Sequence, residues 1–116
     1  DVRFCVDGPW RMGMNEVAIG LTLPYFAIEL ARHRLTPPGF ARLTTGALFP
    51  PDEARHFGYV DRIVAPSDAE DAVRSEVERL LALDMPSFTA TKLRVNAHAV
   101  RAIRDAVDAE LKEVAA

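Results

Sequence analysis

The chain has 116 residues, 49% of them hydrophobic and 27% charged, which is the balance of one folded globular domain with a modest core. Its formal net charge of −3 supplies no basic stripe for phosphate groups, which argues against nucleic acid as a partner. No apolar run reaches the roughly 18 residues of a membrane-spanning helix, and the single cysteine, Cys5, suits a reducing compartment, so we expect a cytoplasmic protein with no membrane partner.

Two short strands are predicted at the start of the chain. Apolar side chains alternate with others over residues 2–6 and again over residues 10–14, and the Asp7-Gly8 pair between them is typical of a tight turn. Because the chain opens directly into the first strand pattern, we expect further sequence in front of Asp1.

An apolar run from Val17 to Leu23 follows and ends at Pro24. Only Gly20 and Thr22 interrupt it, so we expect the run to cross the interior as irregular or extended chain. Glu16 stands at the entrance to this run.

Helix signals dominate the middle of the chain. A first helix is predicted from Pro24 through Leu35, with the proline in its first turn. Thr36 before Pro37 is typical of a cap followed by a first helical position, and the second helix should end at Gly46. The remaining elements before Pro66 are a helix over Pro51–Phe57 and a brief strand over Tyr59–Val64.

Beyond Pro66 the pattern is wholly helical. Residues 67–70 form a capping-box pattern, Met85-Pro86 interrupts the helix that follows, and a short helix after Ser87 precedes a last one. The last helix carries a narrow apolar seam that needs a partner surface, either in the same domain or in another subunit. The seam consists of Val100, Ile103, Val107, Leu111 and Val114.

The order of motifs in the first 64 residues resembles the enoyl-CoA hydratase/isomerase, or crotonase, family. Met12 to Pro24 matches the family's glycine, Asn-Glu pair, apolar stretch and helix-starting proline, and Gly58 to Val64 matches its Gly-x-Val-Asp and apolar strand. Thr45-Gly46 and Ala54 follow the family order between them. The resemblance implies an α/β fold, the C-terminal portion of a ClpP/crotonase-like fold, with short strands and then mainly helices.

By this resemblance, residues 1–65 are the C-terminal part of the crotonase core and residues 66–116 are the family's helical C-terminal region. That region is expected to mediate homo-oligomerisation as a trimer or hexamer. A rival hypothesis is a noncatalytic crotonase-like fragment that serves as an oligomerisation or interaction module.

Glu16 aligns with the second of two family glutamates, the one that moves a proton next to the thioester carbonyl. The resemblance implies an acyl-CoA hydratase or double-bond isomerase that stabilises an enolate in an oxyanion hole, whose donors and first glutamate lie upstream. Independently, the apolar neighbours of Glu16 favour partial desolvation, which suits a carboxyl that transfers protons. Two structural roles stay open, a cap of a backbone turn or a partner of Arg11.

Leu23, Tyr25 and Phe26 are the predicted substrate-binding residues. The two rings can line the acyl-chain end of the pocket, but aromatic residues at the start of a helix usually pack in the core, so core packing is the favoured role. The resemblance implies no resident cofactor, because coenzyme A is part of the acyl-CoA thioester substrate. The three histidines lie on separate predicted helices without companion ligands, so no metal site is predicted.

Overall fold

The computed structural model describes all residues 1–116. The strands are β1 (Phe4–Val6), β2 (Met12–Gly13), β3 (Leu48–Phe49) and β4 (Arg62–Val64). The helices are α1 (Tyr25–Arg34), α2 (Pro37–Ala41), α3 (Pro51–Phe57), α4 (Ala69–Leu81) and α5 (Met85–Ala115). Shorter 3₁₀ helices lie at Glu16–Ile19, Arg42–Thr45 and Pro66–Asp68. None of the helices has both the length and the apolar character that crossing a lipid bilayer requires.

Each strand pairs with a partner that is distant in sequence. β1 runs parallel to β4, with Cys5 opposite Ile63, and β2 runs antiparallel to β3. The two predicted N-terminal strands therefore both form, but they do not pair with each other. Trp10 spans the bend between them, because its indole N–H donates to the Val6 carbonyl at 2.6 Å.

α1 and α5 pack against each other in antiparallel directions. Tyr25, which begins α1, contacts Glu110 near the end of α5, whereas His33 at the other end of α1 bonds Asn96. The buried residues of α5, Ala99 and Ala106, lie beside α1, whereas the buried alanines of α1, Ala27 and Ala31, pack with Leu23 and Leu43. Alanine lets two helix backbones approach closely, so α5 can lie directly along α1.

Two apolar cores hold the remaining elements together. Leu23 and Leu43 join the buried alanines of α1 in the larger one. The smaller core contains Phe49, Ala54 and Phe57, and its two phenylalanine rings meet edge to face with centroids 4.8 Å apart. Such edge-to-face contacts add specific geometry to apolar burial, so β3 and α3 are held in a fixed relation.

Local capping signals predicted the helices of the middle segment correctly. α1 occupies its predicted range, although Pro24 immediately precedes the helix instead of lying within its first turn. At the start of α2, the Gly39 N–H donates to Thr36 Oγ1 at 3.3 Å. The second helical segment ends at Gly46 after a 3₁₀ turn, and α3 ends at Gly58, both glycines having left-handed backbones (φ 63° and 93°).

The prediction that the apolar run after β2 crosses the interior is wrong. The exposed fraction is 47% for Val17, 63% for Ile19 and 57% for Leu21, and only Leu23 at the end of the run is buried. The run begins as a 3₁₀ helix that Gly20 closes in the left-handed region, which leaves these side chains outside both cores. They form an apolar patch on the surface.

The starts of α4 and α5 also differ from the predictions. The Ser67 hydroxyl donates to Asp68 Oδ1 at 3.1 Å and does not cap α4, which follows a 3₁₀ turn instead. α5 is one continuous helix where two were predicted. Asp84 Oδ2 caps it by accepting from the Ser87 N–H at 3.0 Å, and Pro86 lies in the first turn, where its missing N–H costs nothing.

The predicted apolar seam of α5 is not the face that packs against α1. α5 presents Ala99 and Ala106 to the interior, while the exposed fraction is 38% for Val107, 62% for Leu111 and 82% for Val114. The direction of α1 selects the alanine face, because only small side chains allow the observed close approach. The seam is therefore exposed on this chain except at Ile103, which is half-buried.

Candidate active site

Glu16 begins the 3₁₀ helix between β2 and α1. Its carbonyl accepts a hydrogen bond from the Leu21 N–H at 2.8 Å, and the Asn15 carbonyl accepts one from the Ala18 N–H at 2.9 Å, so backbone bonds close the turn at both ends. The Glu16 side chain is half-buried, and its Oε2 is buried without a hydrogen-bond partner. A buried acceptor without a donor costs about 1–3 kcal/mol, so this oxygen is available to accept a hydrogen bond from a ligand.

Gly46 supports the Glu16 turn from behind. An added Cβ at Gly46 would lie 2.7 Å from the Ala18 backbone nitrogen and 2.9 Å from the Ala18 Cβ. The position also has a left-handed backbone (φ 63°), which favours glycine. The sequence predicts only a helix end at Gly46. The packing of Gly46 against Ala18, in the Glu16 turn, depends on a contact between segments that are distant in sequence.

A pocket of about 220 Å³ lies beside the segment that leads from β2 to Glu16. Its wall is mainly apolar, with two arginines and a tyrosine as the polar members. The lining residues are Arg3, Met14, Leu30, Ala31, Arg34, Leu35 and Tyr59. An apolar recess with a few polar groups is the usual form of a small-molecule site.

Tyr59 connects this pocket to Glu16. Burial, followed by the negative charge of Glu16, raises the pKa of Tyr59, so the phenol keeps its proton at neutral pH and lies within electrostatic reach of the carboxylate. Sequence reasoning treated Tyr59 only as the start of a strand. The sequence feature that could have indicated a role for Tyr59 is its position directly after Gly58, because a glycine that ends a helix turns the chain back toward the core.

An ion pair fixes the loop that carries Tyr59. Asp61 accepts hydrogen bonds from the Arg3 backbone N–H at 2.7 Å and from the Arg3 guanidinium at 2.9 Å. The hydrogen bond from the Arg3 side chain holds the pKa of Asp61 below its usual range, although partial burial opposes this. The start of β1 thereby anchors the turn between α3 and β4, next to the pocket.

The structure does not bring Leu23, Tyr25 or Phe26 into this pocket. Leu23 is buried in the larger core, and Phe26 is 41% exposed on α1. The Tyr25 backbone N–H donates to Glu110 at 2.7 Å and its hydroxyl donates to Glu113 at 2.6 Å, which raises the pKa of Tyr25. Tyr25 therefore joins α1 to the end of α5. The substrate-binding role of these three residues stays a prediction.

A larger and more open cleft, of about 550 Å³, lies at the start of α5, away from Glu16. Asp84, Lys92 and Asn96 are among its lining residues, and Lys92 forms an ion pair with Asp1 at 2.8 Å across its edge. Neither Glu16 nor Tyr59 borders this cleft. Its charged, open walls provide no buried reactive group, so the smaller pocket is the better candidate site.

The comparisons with known proteins agree on one family. No family model matches the chain. Human enoyl-CoA delta isomerase 1, mitochondrial, is 28% identical over 94 residues, which are 79% of this chain and 31% of that protein. A crystal structure of an enoyl-CoA hydratase/isomerase family protein from Pseudomonas syringae is 32% identical with a TM-score of 0.90, covering 93% of this chain and 47% of that one. An enoyl-CoA hydratase from Mycobacterium marinum is 32% identical with a TM-score of 0.88, covering 97% and 50%.

The architecture is that of a crotonase fold, with short strands followed mainly by helices, and it confirms the fold class predicted from the motifs. In sequence and fold the chain is similar to the C-terminal half of proteins of the enoyl-CoA hydratase/isomerase family. It spans about half the length of the solved structures it matches and about a third of the human protein.

Proposed function

We propose that this chain provides the acid/base half of an active site that hydrates an enoyl-CoA thioester or moves its double bond. Glu16 is the proposed general acid/base. The observation that carries the proposal is the buried Oε2 of Glu16, which has no hydrogen-bond partner within the chain. The names of the relatives include both isomerases and hydratases, so both reactions belong to the proposal.

The proposed chemistry requires one carboxyl group to move a proton next to the thioester carbonyl. In isomerisation, Glu16 takes a proton from carbon 2 of a 3-enoyl thioester, and the electron pair moves into the carbonyl to form an enolate. The same carboxyl then returns the proton at carbon 4, giving the 2-enoyl thioester. In hydration, the oxygen of water adds at carbon 3, Glu16 gives its proton to carbon 2, and the proton that water releases restores the Glu16 carboxyl.

The enolate oxygen needs hydrogen-bond donors while it carries negative charge. The family resemblance implies that two backbone N–H groups outside residues 1–116 supply them, and loss of one such donor typically lowers kcat about 100- to 1000-fold. The reaction proposed here uses no resident metal or redox cofactor, because coenzyme A enters as part of the substrate. A role in fatty acid metabolism in the cytoplasm completes the proposal.

The test is Glu16→Gln in the protein as its native host expresses it, assayed for crotonyl-CoA hydration and for 3-enoyl-CoA isomerisation. Loss of a general acid/base lowers kcat by about 100- to 10,000-fold. Glu53→Gln is the matched control, because Glu53 is an exposed glutamate on α3, and its rate should stay within about twofold of wild type because surface substitutions rarely disturb a fold. An unchanged rate in Glu16→Gln would remove Glu16 from the mechanism.

A second proposal is that α5 mediates homo-oligomerisation, as a trimer or a hexamer. The supporting observation is the outward seam, in which Val107, Leu111 and Val114 are partly to largely exposed. Apolar side chains aligned on one helix face favour a partner surface. Light scattering at micromolar concentration should give the mass of an oligomer, and Leu111→Glu should lower it. A monomeric wild-type protein contradicts this proposal, and with it the alternative of a noncatalytic oligomerisation module.

A further inference from the structure

Tyr59 borders the pocket beside the proposed general base, and burial raises its pKa so that the phenol stays protonated at neutral pH. Its backbone N–H donates to the Ala54 carbonyl at 2.9 Å, and its ring lies 6.1 Å from the ring of Phe49. The smaller core thus fixes one side of the tyrosine, while the other side lines the 220 Å³ pocket.

The Glu16 carboxylate needs a donor of this kind. Oε2 of Glu16 is buried and unpartnered, and a buried acceptor is normally satisfied by a protein group, a water molecule or a ligand. Met14 borders the same pocket as Tyr59 and lies two residues before Glu16. Tyr59 therefore borders a pocket that also touches the segment that carries the carboxylate.

The electrostatic relation between the two groups agrees with this geometry. Burial and then the charge of Glu16 raise the pKa of Tyr59, so the hydroxyl stays protonated over the whole range in which a carboxylate acts as a base. A protonated phenol near an ionised carboxylate donates to it, and hydrogen bonds to charged acceptors are stronger than neutral ones.

We propose that the Tyr59 hydroxyl positions Glu16 by donating a hydrogen bond to its carboxylate, directly or through one water molecule, when an acyl thioester occupies the pocket. This inference rests on the proposed function of Glu16. Tyr59 takes no part in the proton transfer itself. It stabilises the ionised form of the base and limits the directions in which the carboxylate can point.

The experiment compares kcat and KM for 3-enoyl-CoA isomerisation, in which Glu16 acts first as a base, as functions of pH for wild type, Tyr59→Phe and Tyr59→Leu, with Glu16→Gln as the reference. Tyr59→Phe keeps the ring and removes only the hydroxyl. We expect kcat to fall about tenfold with little change in KM, since a charged hydrogen bond is lost. The acid limb of the kcat profile should move to higher pH by about one unit, which corresponds to the same tenfold change.

The results distinguish an effect of the Tyr59 hydroxyl from an effect of its ring. They also distinguish failure of this inference from failure of the proposed function on which it rests. An equal displacement of the acid limb in Tyr59→Phe and Tyr59→Leu supports the proposal, because both lack the hydroxyl. If the acid limb moves only in Tyr59→Leu, the effect comes from ring packing and the proposal is overturned. The proposal is also overturned if the limb moves in neither variant while Glu16→Gln is inactive. If Glu16→Gln is as active as wild type, the proposed function itself fails.

Discussion

Replacing Gly46 with alanine tests whether Gly46 packs against Ala18, in the Glu16 turn, as closely as the structure indicates. The new Cβ would lie 2.7 Å from the Ala18 nitrogen, a backbone atom that cannot rotate away. Gly20 is a matched control at the other end of the same turn. It also has a left-handed backbone, with φ 81°, but an added Cβ there has no neighbour within 4 Å.

The two substitutions share one cost and differ in another. A non-glycine residue in the left-handed region costs about 1–2 kcal/mol, and both variants incur it. Only Gly46→Ala adds the overlap with Ala18, and forcing an extra methyl into a packed contact typically costs about 1–3 kcal/mol. The free energy of unfolding should therefore be lower in Gly46→Ala than in Gly20→Ala by about 1–3 kcal/mol.

Urea denaturation followed by circular dichroism measures this difference, with the m-value checked for constancy. Activity provides a second measurement. If the strain is relieved by displacing Ala18, the carboxylate of Glu16 moves with the turn, and a shift of about 1 Å lowers kcat by up to roughly 100-fold. Equal unfolding free energies for the two variants would refute the tight contact between Gly46 and Ala18.

Two further predictions concern the stability of the fold. The Arg79 guanidinium donates a hydrogen bond to buried Glu76 at 2.6 Å and, together with Arg62, lowers the pKa of Glu76 from its usual 4.5. The ionised carboxylate therefore stabilises the folded state fully above pH 4.5, and this stabilisation is lost as the pH falls through the lowered pKa. Thermal unfolding of Glu76→Gln should thus lie below wild type at pH 7 and converge with it in acid, and a constant gap would contradict this. Ala31→Leu should cost about 1–3 kcal/mol through overpacking of the larger core, since Ala31 is only 2% exposed and packs with Leu23 and Leu43. The exposed Ala90→Leu on α5 should change the unfolding free energy by less than about 0.5 kcal/mol, and equal costs would refute the close packing.

The helix ends of the middle segment could be predicted because their causes are local. Thr36 provides a cap within three residues, and Gly46 and Gly58 end helices through their own backbone freedom. The order of motifs around Glu16 also sufficed to indicate the family. These features depend only on residues that are close in sequence, so they can be predicted from the sequence alone.

Features that depend on distant neighbours were not predictable in the same way. β1 pairs with β4 through residues nearly sixty positions away, for example Cys5 with Ile63, and no local pattern states that register. The face that α5 buries is decided by the path of α1, so the alanine positions are covered and the valine seam is not. The exposure of Val17 and Ile19 follows from the direction of a 3₁₀ turn, which hydrophobicity alone does not encode.

Part of the site could be read from the sequence and part of it required coordinates. Glu16 was identified from the Asn-Glu motif, and its half-buried carboxylate is compatible with that choice. Tyr59 and Gly46 were missed as contributors because their relation to Glu16 arises only when α2, α3 and the Glu16 turn fold together. Tyr25 was read as a pocket residue, whereas its hydrogen bonds to α5 are formed across 85 and 88 positions of sequence.

The central claim is that Glu16 moves the proton at carbon 2 of an acyl thioester. Incubating butyryl-CoA, a saturated thioester that can be neither hydrated nor isomerised, with the protein in D₂O and following carbon 2 by mass spectrometry measures that step without the overall reaction. Wild type should incorporate deuterium at carbon 2, and Glu16→Gln should incorporate about 100-fold less or none. Deuterium uptake by Glu16→Gln at the wild-type rate would contradict the account.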